Sequence, residues 1–538
     1  MWAAILLTIM ACVPVLCTAG TETVLPPGVK AVWDLAAAYR ETTPTRERIC
    51  INGLWRWQPT DPDSTQVPQD GWGYFKVPGS WPGITDYMQK DCQKVHAHPR
   101  WSDVKLKTVS AAWYQRDITI PREWANRRIA LTLDYLNAFA TVFIDGRKAA
   151  DIRFPGGEAD ITSLCRPGRK HALSILVVAM PLKAVLLSFN DTNAARQVKG
   201  KVKRRGLCGD VYLGSTPAGP RIDDLKIDTS VREGTLTAHA VLQGLDPATP
   251  SYRLRATVTD MDGAKAAEFT KVIHRDEGWR AAVDSAWKWV PERLWDIHTP
   301  QNMYRMQFAL LDAGGEVLDI YRSVRFGFRE FRIDGRDFYL NGSRIFLSAV
   351  PFDNAQVGAA WATYASARES MLRLKSFGIN FVYTHNYGCR PGDHLGFSEI
   401  LEAADDVGML IALSQPHFGH YDWDAADADE QNGYARHAAF YVRQAQNHPS
   451  VVCYATSHNA TGDAEDMNPD LMGRPYEVRT PYVVENRAKA SRAEAILRHL
   501  DPSRVTYHHS SGGFGVVHTS NFYPNWDVPK GRTSYFHI

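Results

Sequence analysis

Beyond Asn341-Gly342 the chain alternates short apolar runs with stretches whose apolar residues recur at helical spacing, and this grammar restricts the fold more than any other feature. Ile345 to Val350 reads as a strand, after which Ala367, Met371 and Leu374 repeat with helical period. Asn380 to Thr384 and Met409 to Leu413 are the next strands, separated by a helix from Leu395 to Val407. A helix from Tyr434 to Gln446 leads to a strand at Val451 to Ala455. One from Val484 to Leu500 leads to strands at Val505 to His508 and Val516 to Thr519. Such regular repetition demands a parallel sheet with crossover helices, and a (β/α)8 TIM barrel is the leading candidate. Only about six strands are counted where closure takes eight. The expectation over residues 331–538 is therefore an incomplete barrel in a chain cut short at its C-terminus.

The sequence before that point is all β. Over residues 24–218, strands such as Arg128-Ile-Ala-Leu-Thr-Leu-Asp-Tyr and Ala140-Thr-Val-Phe-Ile-Asp-Gly-Arg are bounded by Pro, Gly and Asp, the second closing on an Asp-Gly turn. With the longer apolar run His171 to Val178 they predict an N-terminal jelly-roll β-sandwich. Residues 219–330 carry three period-two runs, beginning at Thr235, Tyr252 and Tyr304, which fit an immunoglobulin-like sandwich. The fold class is thus multidomain β plus α/β.

Charge excludes some partners. Lys plus Arg (61) nearly cancels Asp plus Glu (59), so no strong field favours nucleic acid or an anionic membrane. Residues 1–19 hold an uncharged apolar stretch ending in Cys17-Thr18-Ala19, as in a signal peptide, and predict a secreted or periplasmic protein. No later segment is apolar for long enough to span a bilayer. Cys50, Cys92, Cys165, Cys208, Cys389 and Cys453 are scattered without a C-x-x-C, which argues against zinc and redox sites. No metal or cofactor is expected. Oligomeric state is left open.

Three groups of motifs then appear in order. The first region carries Asn52-Gly-Leu-Trp-Arg-Trp, Val77-Pro-Gly-Ser-Trp, Ala112-Trp-Tyr-Gln-Arg and Gly206-Leu-Cys-Gly-Asp-Val-Tyr-Leu. The second carries Leu294-Trp-Asp-Ile-His-Thr-Pro-Gln-Asn-Met-Tyr and Arg325-Phe-Gly-Phe-Arg, and the third opens with Phe338-Tyr-Leu-Asn-Gly-Ser-Arg-Ile. The ordered set resembles glycoside hydrolase family 2, which contains β-galactosidases, β-glucuronidases and β-mannosidases. The resemblance implies a sugar-binding β domain, an immunoglobulin-like domain and a catalytic barrel.

It also implies a pair of catalytic Glu, at the ends of barrel strands four and seven, since retaining glycosidases hold two carboxyl groups about 5–5.5 Å apart. The strand-four motif is Asn-Glu, but this chain has Asn459-Ala460, and an alanine methyl cannot donate a proton. The strand-seven Glu would fall beyond Ile538. A replacement acid is sought in Gly462-Asp-Ala-Glu-Asp, where crowding of Asp463, Glu465 and Asp466 would raise one carboxyl's pKa. Glu465 is the first choice and Asp463 the second. The same stretch also fits a solvated acidic loop or a calcium loop, although the Gly of the calcium-binding hand is missing. For substrate binding the resemblance points to His385 in the strand-two motif, with Tyr383 where an Arg is usual. It adds Asn459 for the sugar 2-hydroxyl, and Asn521 and Tyr523 around strand six. His417, directly after strand three, and Trp526, in the strand-six aromatic cluster, complete the set.

The leading expectation is a secreted glycoside hydrolase acting on β-galactoside-type or related sugars in polysaccharides or oligosaccharides, with a non-standard general acid. A catalytically inactive carbohydrate-binding protein on the same scaffold is the second reading. A different carbohydrate-active chemistry, such as a lyase or an inverting hydrolase, is the third.

Overall fold

The computed structural model describes residues 23–81, 94–179, 205–274, 280–352, 364–384, 397–416, 418–421, 423–424, 434–456 and 481–508. The leader at residues 1–19 and the strand expected at Val516 to Thr519 lie outside these residues.

The first unit is built from two antiparallel sheets. One runs Arg147–Arg153, Phe139–Ile144, Lys170–Val178, Ala111–Thr119, Gly53–Thr60, Gly73–Val77 and Val95–His96, and the other Arg40–Thr42, Glu47–Cys50, Val211–Pro217, Arg127–Leu133 and Gly157–Asp160. Strand alternation sends Trp55 and Trp57 into the space between the sheets, where both are fully buried with Trp81 and Tyr114. Trp57 meets Phe75 at 5.3 Å, Trp101 at 5.2 Å and Trp81 at 6.1 Å between ring centroids. These motif tryptophans are core, which removes them from any sugar-stacking role. The Asp-Gly turn forms as expected, with Asp145 and Gly146 both at positive φ (50° and 77°).

The second unit sets Arg221–Ser230, Thr235–Gln243 and Arg280–Lys288 against a sheet of Lys265–His274, Ser251–Asp260, Tyr304–Leu311 and Val317–Ile320, with Val324–Phe326 also pairing on Tyr304–Leu311. Leu236, Ala238, Ala240 and Leu242 alternate into its core against Tyr252, Leu254, Ala256 and Val258.

The third unit opens with an antiparallel hairpin of Phe331–Asp334, Asp337–Leu340 and Ser343–Ile345. This corrects the expected strand from Ile345 to Val350: Ile345 pairs back onto Phe338. Asn341 and Gly342, at φ 52° and 82°, form a tight turn of the kind that closes hairpins. The parallel sheet begins four residues later. Its strands are β1 (Ala349–Pro351), β2 (Phe381–Tyr383), β3 (Leu410–Ser414), β4 (Val451–Thr456) and β5 (Val505–His508). They pair in sequence order, every neighbour parallel. The helices α1 (Tyr364–Ser376), α2 (Phe397–Val407), α3 (Tyr434–Ala445) and α4 (Pro481–Leu500) each follow one strand. Parallel pairing requires such crossovers.

The sheet's two faces are both apolar and differently covered. Val382, Ile411, Leu413, Val451 and Tyr454 pack against Met371, Leu401, Tyr441 and Leu497 of the helices. Phe381, Leu410, Ala412, Ala455 and Tyr507 share the other face with Trp295, Phe331 and Leu340, from the second unit's exit and the hairpin. Burial on both faces explains why these strands read as unbroken apolar runs.

Candidate active site at the strand ends

In parallel β/α sheets, ligands are met at the C-terminal ends of the strands. Here those ends carry Thr384, Ser414, Gln415, Thr456 and His508, all buried. Thr384 and Ser414 lock β2 to β3: the Ser414 amide donates to Thr384 Oγ1 at 2.8 Å, and the Ser414 hydroxyl donates to the Thr384 carbonyl. Gln415 donates its backbone N–H to Ala455 at 2.8 Å, yet neither end of its buried side-chain amide has a hydrogen-bond partner among the described residues.

Thr456 and His508 end β4 and β5 as directly paired residues. Thr456 Oγ1 lies 2.7 Å from His508 Nδ1, and His508 Nε2 lies 2.7 Å from Glu494 Oε2 on α4. Burial pushes the Glu494 carboxyl up, but His508 and Arg498 outweigh it and hold the group below its ordinary range. A carboxylate is therefore maintained beneath the end of β4.

On the opposite face, Tyr507 sits among Cys453 and Ala455 in the inner core. Burial, reinforced by Cys453 and Tyr383, pushes its phenol well above the ordinary tyrosine range. Tyr507 can thus offer a proton to a hydrogen bond but cannot act as a base near neutrality.

The first unit reaches this region. Phe154 meets His437 of α3 edge-on at 5.1 Å, and Tyr135 meets Phe440 at 6.1 Å. Between them in sequence stands Asn137, fully buried, with both amide atoms unpartnered among the described residues.

Every site residue expected from the sequence (Glu465, Asp463, His385, Asn459, His417, Asn521, Tyr523 and Trp526) lies outside the described residues. So do His458 and Ala460. Among the described residues, Tyr383 and Gln415 stand two residues before His385 and His417, and Thr456 three before Asn459. Sequence reading missed Gln415, Thr456, His508 and Glu494. A polar residue closing each apolar strand was the available signal. Trp423 is buried, donating to the Phe418 carbonyl at 2.8 Å. Among the described residues no group of three or more His, Cys, Asp or Glu is arranged to hold a metal ion.

Comparison with known proteins gives this architecture its relatives. The family model for glycosyl hydrolases family 2 matches residues 221–329, the second sandwich. A β-glucuronidase of Paenibacillus borealis is 23% identical over 448 residues, covering 78% of this chain and 69% of the relative. The β-glucuronidase of Canis lupus familiaris is 23% identical over 459 residues, covering 79% and 65%. Proteins named β-galactosidase and β-mannosidase match as well. Among solved structures, Bacteroides uniformis β-glucuronidase superposes with a TM-score of 0.62 at 21% identity, covering 86% of this chain and 52% of that one. The chain therefore spans between about half and two thirds of these proteins' lengths. A matching second sandwich, preceded by a β-sandwich and followed by the parallel β/α sheet, supports a divergent relative of glycoside hydrolase family 2.

Proposed function

We propose that this chain is the scaffold of an exported β-glycosidase, one that hydrolyses O-glycosidic bonds of β-galactoside-type or related sugars in oligosaccharides or polysaccharides. One observation carries the reading: polar groups gather at the C-terminal ends of a sequentially ordered parallel sheet fused behind two β-sandwiches, the domain order of the family. The five parallel strands belong to a (β/α)8 barrel, and the first sandwich is its jelly-roll partner. In this reading His385, His417, Asn459, Asn521, Tyr523 and Trp526 contact the sugar. Glu465, backed by Asp463, replaces the proton donor absent at Ala460. The alanine equally favours a second reading, a sugar-binding protein that has lost catalysis.

Assay of the full chain against aryl β-glycosides of galactose, glucose, mannose and glucuronic acid separates the two. Hydrolysis of one member is expected, and Glu465→Gln should lower kcat by about 10²–10⁴ on substrates with poor leaving groups, while sparing activated ones. Calorimetric sugar binding without turnover on any substrate would instead establish the binding protein.

A further inference from the structure

We propose that His508 is a positioning residue: anchored by Glu494, it pins Thr456 and so fixes the C-terminal end of β4. The proposal rests on the reading that the end of β4 belongs to the substrate site.

The geometry leaves His508 little freedom. Its ring is completely buried and held at both nitrogens, by Thr456 Oγ1 and Glu494 Oε2, each at 2.7 Å. A carboxylate only accepts, so Nε2 carries a proton and donates to Glu494. In the neutral ring Nδ1 must then accept, and its donor is the Thr456 hydroxyl. If the ring takes a second proton, Nδ1–H donates to Oγ1, and the hydroxyl hydrogen turns to the Tyr507 carbonyl, 3.3 Å away. Thr456 stays tied to β5 in both arrangements.

The anchor is itself anchored. Glu494 pairs with Arg498 one helical turn on, so its carboxylate is gripped from α4 on one side and from β5 on the other. A side-chain bridge of three elements (β4, β5 and α4) thus reinforces the ladder at the Thr456–His508 pair. A histidine that merely filled the core would need one partner; this one joins the last residues of two strands to a charged group on a helix.

Hydrogen exchange and nitrogen NMR on the full chain test the idea without requiring turnover, so their failure is distinct from failure of the glycosidase reading. Thr456→Val keeps shape and removes the hydroxyl. It should raise exchange of the peptide spanning 451–460 by about tenfold while β2 and β3 stay unchanged, the signature of local opening. Thr456→Ser should restore the wild-type rate. In wild-type protein the His508 ring should show an unprotonated Nδ1 and a protonated Nε2, and Glu494→Gln should abolish that fixed preference. With a hydrolysed substrate in hand, Thr456→Val should lower kcat and leave KM near its original value. Unchanged exchange in 451–460, an equal rise across all five strands, or a serine variant that behaves like valine would overturn the proposal. Should Thr456→Val fail to fold, a wild-type ring protonated at Nδ1 alone overturns it, and the Nε2–H form upholds it.

Discussion

Lys226 of the second sandwich and Asp501, the residue after α4, form a 2.8 Å ion pair across the boundary between two domains. Asp501 is fully buried and also accepts from the Tyr454 hydroxyl at 2.7 Å and from Arg504 at 2.7 Å. Burial favours its neutral form, but Arg504 and Lys226 outweigh that and hold the carboxyl far below its usual range. Asp501→Ala would leave the buried Arg504 without this carboxylate, while Lys226 keeps Asp228 at 2.9 Å, and a loss of about 3–5 kcal/mol in stability is expected from urea titration.

The neighbouring Asp228 carries an acid limit. Burial works against its charge, but His239 and Lys226 bring the carboxyl down to about 2. A depressed carboxyl stabilises the fold above its unfolded value of about 3.9 and loses that contribution as pH falls through the folded value. Melting temperature should therefore drop between these pH values, and less steeply in Asp228→Asn.

His239 sets the opposite limit. Its ring is bonded to Asp228 at 3.0 Å and to Asp284 at 2.7 Å, and the Asp228 bond, against the pull of burial, raises its pKa. A raised histidine contributes fully below the unfolded value of about 6.5 and loses that contribution as pH rises through the folded one. His239→Gln should flatten the decline in melting temperature as pH rises above about 6.5, and an unchanged slope would exclude this bridge as its source.

Gly327 accounts for one motif physically. A Cβ there would stand 2.7 Å from Trp295 Cβ and 2.8 Å from Pro449 Cβ, where the second sandwich meets the parallel sheet. Two residues on, Arg329 donates to the carbonyls of Pro449 at 3.0 Å and Val451 at 2.7 Å. Gly327→Ala should cost about 1–3 kcal/mol through overpacking, read as a lower urea midpoint.

Arg325-Phe-Gly-Phe-Arg was thus legible as a motif, but the reason for its glycine was not, because Pro449 is far away in sequence. Periodicity located β5 to the residue and α2, α3 and β4 to within a few residues. It failed at Ile345, where apolar content gave no means of telling the last strand of a hairpin from the first of a parallel sheet. The Asn341-Gly342 turn held the answer and had been read only as a boundary. The site was less legible still. Thr456 and His508 each close an apolar strand, but their contact with one another and with Glu494 exists only once the β4–α4–β5 crossover has been folded.

The aromatic contacts of Tyr135 and Phe154 with α3 bear on where this polypeptide can be cut. Expressed from residue 331 onward, the parallel sheet would present Phe440 and His437 to water on the flank that the first sandwich now covers. Such a fragment is expected to associate or precipitate rather than stand alone. The N-terminal half, though distant in sequence from the strand ends, is a condition of their solubility.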